Sequence, residues 1–206
     1  MCGRYHLESE ERLGEIYEII QEINRKHNGS DDLSAMKTGE ISPTDLAPVV
    51  SKNGPILMKW GFTMRDSKKP IINARAETAK EKPMFKESLA HQRVAIPTNG
   101  FYEWTHPNGK MRDKYLFKIL GEDMLYLAGI STEAYTKNGK EHRYVILTTK
   151  ANESMKPFHD RMPVCLSKTE QDQWINDPSF VLNAQKRPQL QLVPLLVSQL
   201  AQISFF

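Results

Sequence analysis

Leu46-Ala47-Pro48-Val49-Val50-Ser51-Lys52-Asn53-Gly54-Pro55-Ile56-Leu57-Met58-Lys59-Trp60 is the stretch that decides the fold. Two strand-like runs, Leu46 to Ser51 and Pro55 to Trp60, flank Asn53-Gly54, a pair that suits a tight hairpin turn. That predicts neighbouring antiparallel strands. Outward from it the same signature recurs in Val94 to Pro97, Gly100 to Trp104, Lys114 to Leu120, Met124 to Ser131 and His142 to Thr149. Turns are expected at His106-Pro107-Asn108-Gly109 and Lys137-Asn138-Gly139.

Helices flank these strands. Leu13, Ile16, Tyr17, Ile20 and Ile23 recur at three and four within residues 9–27, with Ser9 as a start cap and Gly29 after the end. A short helix is expected over Met84 to His91, and Ser167 with Glu170 has capping-box spacing ahead of another that holds Trp174. Residues 30–44 and 61–70 read as polar connections, and residues 189–206 as a last strand or a packed cover. The expected architecture is α+β, a mostly antiparallel, barrel-like sheet core with flanking helices in a single domain spanning residues 1–206.

With 206 residues, 39% hydrophobic and 26% charged, the chain can bury a core without staples. No run approaches the roughly 20 apolar residues of a membrane span, and no secretory signal opens the chain, so a cytoplasmic protein is expected. Two cysteines, Cys2 and Cys165, make no disulfide framework and no zinc-spaced cluster, so neither metal nor cofactor is expected. The net charge of +3 is unevenly spread: Glu8 to Glu22 holds six glutamates against one arginine, whereas Lys59 to Arg93 holds nine basic and four acidic residues. Such a basic stretch can attract a polyanion, or can simply be a solvated face.

The chain opens Met1-Cys2-Gly3-Arg4-Tyr5. Loss of Met1 would leave a cysteine whose α-amine and thiol share one carbon skeleton, both partly deprotonated near neutrality. An aldehyde could then be captured twice: the amine condenses to an imine, the thiolate adds, and a thiazolidine ring closes. The same pair could instead perform acyl transfer, with the amine as base. Glu103 lies between Tyr102 and Trp104, and alternation sets it opposite both rings, where desolvation would raise its pKa for proton transfer. His159, held between Pro157 and Pro163, is suited to shuttle protons. Asn73 and Arg75, two apart, should point the same way, an amide to orient an aldehyde oxygen and a guanidinium to hold phosphate; Arg4 and Arg161 could add phosphate contacts. Singly, each of these reads equally well as ordinary surface or scaffold.

Together, Met1 to Tyr5, Ile72-Asn73-Ala74-Arg75-Ala76-Glu77-Thr78, Gly100-Phe101-Tyr102-Glu103-Trp104 and His159-Asp160-Arg161-Met162-Pro163 resemble, in order and spacing, the SOS-response-associated peptidase (SRAP) family. The resemblance implies a protein that binds single-stranded DNA containing abasic sites and links covalently to the sugar aldehyde through Cys2 after Met1 is lost, including by its own peptidase action; a monomer is expected. It implies Asn73 to position the opened sugar, Glu103 to stabilise it and assist proton transfer, His159 as acid or base also in slow reversal, and Arg4, Arg75 and Arg161 on phosphates. Where many relatives carry a tryptophan wedge, this chain reads Thr63-Met64-Arg65-Asp66-Ser67, leaving Trp60 and Met64 as the apolar DNA contacts. Two other classes stay open: a glutamine amidotransferase, which also begins Met-Cys-Gly and would use Asn99-Gly100 at its oxyanion, and a noncovalent single-strand binder in which Cys2 is idle.

Overall fold

The computed structural model describes residues 2–8, 10–11, 14–64, 67–105, 113–136, 139–177, 179–180 and 190–198. Its elements are β1 (Arg4–Leu7), α1 (Glu15–Lys26), α2 (Asp31–Ala35), β2 (Gly39–Ile41), β3 (Leu46–Ser51), β4 (Gly54–Trp60), β5 (Phe62–Met64), β6 (Ser67–Ile71), β7 (Asn73–Arg75) and α3 (Pro83–His91). They continue with β8 (Arg93–Thr98), β9 (Gly100–Trp104), β10 (Lys114–Ile119), β11 (Leu125–Thr136), β12 (Gly139–Lys150), β13 (Arg161–Pro163), β14 (Cys165–Leu166), α4 (Lys168–Asn176) and β15 (Leu192–Ser198).

The hairpin forms as the sequence demands: β3 and β4 pair antiparallel from Leu46↔Lys59 to Ser51↔Gly54. The loop is Lys52-Asn53 rather than Asn53-Gly54, and Gly54 opens β4 at φ +90°, a conformation that a β-carbon would strain. One sheet runs β15-β10-β9-β1-β2, and a larger one follows the order β13-β12-β4-β3-β8-β11-β14 with β7 paired to β12. The pairings are antiparallel except that β12 runs parallel to β4 and β7.

The two sheets close over a shared core. Tyr5, Leu7, Phe101 and Phe117 from the smaller sheet meet Val49, Met58, Val94, Ile96 and Ile146 from the larger, with Ile16 and Ile20 of α1. The opposite face of the larger sheet, carrying Ala95, Ala128 and Val145, is covered by Phe85 and Leu89 of α3 and by Trp174 and Ile175 of α4. Helix α4 starts where its capping box predicts, with Glu170 Oε2 accepting the Ser167 amide at 2.8 Å.

Several expectations shift. The first helix begins at Glu15, not residue 9; Ser9 and Leu13 fall outside the described residues, and Ile19 joins the buried face while Tyr17 is only half-buried. Residues 30–44 are not all loop: Ser30 accepts the Leu33 amide at 3.2 Å and caps α2, and β2 adds an outer strand to β1. The connection after Trp60 is a two-stranded ribbon, β5 with β6. The tail supplies β15 on β10, where Leu195, Leu196 and Val197 stay about half exposed. The turn at residues 106–109 and most of the one at 137–139 lie outside the described residues. Among those described, no helix is long and apolar enough to cross a membrane.

Candidate active site and nucleic-acid interface

Cys2 sits ahead of β1 with only Gly3 between them, fully buried, with its thiol 3.7 Å from the Arg4 carbonyl. Met1 lies outside the described residues. Burial pushes the Cys2 thiol well above its usual range, and the charge of Glu103 and the neighbouring Cys165 push it further the same way. Cys2 is therefore stored as the neutral thiol.

Asn73 opens β7, which lies parallel to β12 with Asn73 beside Ile146. Its Nδ2 donates to the Cys2 carbonyl at 2.8 Å across 71 positions of sequence. Its Oδ1 is buried and accepts no hydrogen bond among the described residues. A buried acceptor without a donor costs about 1–3 kcal/mol, a cost usually tolerated where a ligand completes the bond. Ala74 is buried and Arg75 exposed, so Asn73 and Arg75 do share one side of the strand.

Glu103 occupies the inner face of β9, 6% exposed, opposite Tyr115 of β10. Tyr102 and Trp104 take the outer face, as alternation requires. The His159 segment is brought to the same inner face: Phe158 packs 5.0 Å from the rings of both Tyr115 and Phe117. His159 Nδ1 is 2.9 Å from the Arg161 amide, which can only donate, and 2.7 Å from an Asp160 carboxylate oxygen, which can only accept. Asp160 is 85% exposed and the amide is fixed in β13, so the amide contact governs and Nδ1 serves as its acceptor.

The arginines divide. Arg75 is exposed and has no side-chain partner among the described residues, so its guanidinium is available to an anion. Arg4 is paired with Glu40. Arg161 corrects the expectation of a free phosphate contact: it forks onto Glu77 at 2.9 and 3.0 Å and onto the Thr148 carbonyl at 2.7 Å, and is 11% exposed. It ties β13 to the turn after β7. Burial alone would raise the Glu77 carboxyl, but the Arg161 fork and backbone amides outweigh it and hold it below the usual carboxylate range.

Trp60 is a second correction. It is fully buried, its indole stacks on Tyr144 at 6.2 Å and tilts against Tyr5 at 5.4 Å, and its Nε1 donates to the Ile72 carbonyl at 3.0 Å. No face is left for a base; Trp60 is scaffold. Met64, at the end of β5, is 44% exposed. Asn99 is likewise committed, accepting from the Glu8 amide at 2.7 Å and donating to the Asp123 carbonyl at 3.1 Å, which removes the oxyanion role an amidotransferase needs.

Sequence reasoning missed the buried Tyr5–Tyr144 hydroxyl pair at 2.7 Å, and Glu40 and Lys114 beside Arg4. Nothing local marks them, since each contact joins distant strands. Among the described residues no group of three or more His, Cys, Asp or Glu side chains is arranged to hold a metal.

Known proteins resemble this chain over most of its length. It is 32% identical over 201 residues to the abasic site processing protein YoqW of Bacillus subtilis, covering 88% of this chain and 84% of that one. It is 25% identical over 180 residues to the abasic site processing protein YedK of Escherichia coli, covering 85% and 79%. A solved protein from Bacteroides thetaiotaomicron superposes with a TM-score of 0.72 at 20% identity, covering 89% of this chain and 86% of its own, and one from Bordetella bronchiseptica with 0.72 at 21%, covering 96% and 100%. These structures share the fold. Residues 1–199 match the sequence profile described as SOS response associated peptidase, and the chain belongs to that SRAP family.

Proposed function

We propose that this chain, once Met1 is removed, captures the aldehyde of an abasic site in single-stranded DNA as a thiazolidine on Cys2. The names of its relatives, abasic site processing proteins, supply the lesion, and an aminothiol is the chemistry an aldehyde calls for. The observation that carries the reading is Asn73, which grips the Cys2 carbonyl with one amide atom and offers the other, buried and unbonded among the described residues, to an incoming donor. The ring-opened sugar hydroxyl or the freed α-ammonium is such a donor.

The steps balance as follows. The Cys2 amine adds to the sugar C1′ aldehyde, the carbinolamine loses water, and an imine results. The sulfur then adds to the imine carbon while its proton passes to a base, and the ring nitrogen gains a proton. One water leaves and one C–N and one C–S bond form. Glu103 bears a charge that is felt at Cys2, so it is suited to take the thiol proton as ring closure begins. His159 serves as acid at the sugar oxygen and, in the reverse direction, opens the ring. Hydrolysis of the Met1–Cys2 bond by the chain itself would use the same thiol and base, with water as the second reactant. Arg75 holds a flanking phosphate.

Intact mass identifies the terminus, and an abasic oligonucleotide reports the adduct on a denaturing gel. The processed chain is expected to form a denaturant-resistant adduct, whereas Cys2→Ala and a chain retaining Met1 form none yet still bind the strand noncovalently. Equal crosslinking by the Met1-retaining chain would overturn the ring-closure mechanism. In a translation mixture free of aminopeptidase, loss of one methionine mass that depends on Cys2 is the expected sign of self-processing; its absence removes that activity.

A further inference from the structure

The outer face of the smaller sheet carries a cluster that the chemistry above does not use. By register, Arg4 lies opposite Tyr102, Lys114 opposite Trp104, and His6 opposite Glu40, which sets Arg4, Glu40, Tyr102, Trp104 and Lys114 on one side of β2-β1-β9-β10. Glu40 bridges the two cations, pairing with Arg4 through one carboxylate oxygen and with Lys114 through the other. Lys114 in turn lies 4.1 Å above the Tyr102 ring and 5.7 Å from that of Trp104. Lys114 stands beside a partly exposed indole and Arg4 two positions further along the same face, the combination that tracks a single strand by phosphate contact and base stacking.

We propose that Glu40 is an internal stand-in for a DNA phosphate: it occupies Arg4 and Lys114 in the free protein and yields them to the backbone of the bound strand, while a base stacks on Trp104. The inference rests on the single-strand reading above and adds Lys114 and Trp104 to its contacts. Three observations support a replaceable carboxylate. Glu40 is not needed for register, because β2 is already held by Tyr5↔Ile41 and Leu7↔Gly39. Arg4 is 45% exposed, so a phosphate can approach from solvent. Burial would raise the Glu40 carboxyl, yet Lys114 and Arg4 outweigh it and hold it below the usual range, so it stays charged at neutral pH, as the phosphate it replaces would be. By shielding both cations in the free protein, Glu40 would weaken binding to arbitrary polyanions and leave affinity to be completed at the lesion.

The test uses undamaged single-stranded oligonucleotide, so no covalent step intervenes, and compares salt titrations of the whole chain with Glu40→Gln, with Lys114→Ala and with Glu87→Gln. Glu87 is an exposed glutamate on α3 that removes the same formal charge away from the cluster. Releasing one phosphate contact's worth of cation should steepen the log–log salt slope by about 0.7, which corresponds to about fivefold tighter binding at 0.1 M salt that fades toward 1 M. Glu40→Gln is expected to show that gain, Glu87→Gln little of it, and Lys114→Ala in the Glu40→Gln background is expected to lose most of it. Equal gains for Glu40→Gln and Glu87→Gln, or a gain indifferent to Lys114, would overturn the proposal. Melting curves taken alongside confirm that the variants are folded. An abasic oligonucleotide run with the unsubstituted processed chain judges the crosslinking reading separately: a missing adduct sinks that reading, whereas the cluster stands or falls on the salt slopes alone.

Discussion

Strands β1 and β9 present two different surfaces one residue apart. Their inner face carries Tyr5, Phe101 and Glu103 into the core beside Cys2, while their outer face carries Arg4, exposed, His6 and Trp104, half-buried, and Tyr102, which is covered on that side. Inside, the Glu103 carboxylate is buried and its charge is felt at the Cys2 thiol; outside, the Glu40 carboxylate is shared between two cations. The difference teaches how one sheet can keep a buried carboxylate apart from a cationic surface without distance: the pleat alone separates them. It also makes the two faces separately breakable, since stability should reside in one and strand affinity in the other.

The largest expected effect is on the inner side, at Trp60. Its indole contacts Tyr5 and Tyr144 and donates to the Ile72 carbonyl just before Asn73, so Trp60→Ala removes a buried bicycle and one of that carbonyl's two donors, the Ile146 amide being the other. The loss is expected to be about 3–5 kcal/mol of unfolding free energy by denaturant titration. A loss below about 1 kcal/mol would mean that the inner face is not the stabilising one.

How the two faces were legible follows from their physics. The β3–β4 hairpin could be read because turn and apolar runs lie within 15 consecutive residues, and α4 because its cap and its buried Trp174 are local. Strand β2 could not, because only Ile41 of its three residues is buried and its pairing partner β1 lies over 30 positions away. Cys2, Asn73, Glu103 and His159 were reached through ordered motifs, not through any periodicity, and the contact between Asn73 and the Cys2 carbonyl is invisible to a linear reading. Trp60 was misplaced as a DNA contact because a strand read alone does not say which face its partners will cover; Tyr144 and Tyr5 decide that. Arg161 was misplaced for the same reason, its fork being filled by Glu77 from another motif.

A middle-sized effect sharpens the contrast through pH. Burial holds the Tyr5 and Tyr144 hydroxyls above the usual tyrosine range, and burial likewise raises Tyr126 and the Cys2 thiol. Above about pH 10 the unfolded chain releases these protons while the folded chain keeps them, so the folded state binds more protons and stability falls as pH rises. Each such group contributes a slope of about 1.4 kcal/mol per pH unit once the two states differ fully. Tyr144→Phe strands the Tyr5 hydroxyl and should cost about 1–3 kcal/mol at neutral pH, while the Tyr5→Phe, Tyr144→Phe double variant should recover much of that and flatten the alkaline limb. Melting temperatures across pH 7 to 11 check both. An alkaline limb of unchanged steepness in the double variant would place the titration elsewhere.

The smallest expected effect closes the comparison on the outer side, with the other tryptophan of the sheet pair. Trp104 is half-buried at the end of β9, one residue beyond Glu103, and its visible partner is Lys114 at 5.7 Å. A cation near a ring at an exposed site is worth about 0.5–1 kcal/mol. Lys114 keeps Tyr102 and Glu40 when Trp104 is cut to alanine, so little of even that should be lost. Trp104→Ala is therefore expected to shift unfolding free energy by about 0.5 kcal/mol or less, against several for Trp60→Ala, while weakening noncovalent single-strand binding by the stacking of one base, about 1–3 kcal/mol. The same change of residue would then fall on opposite readouts according to whether the indole lies in the core between the sheets or on the outer face of the smaller one. If Trp104→Ala instead destabilises the chain as Trp60→Ala does and leaves strand affinity alone, the division of labour between the faces is wrong, because an outer indole would then be serving the core.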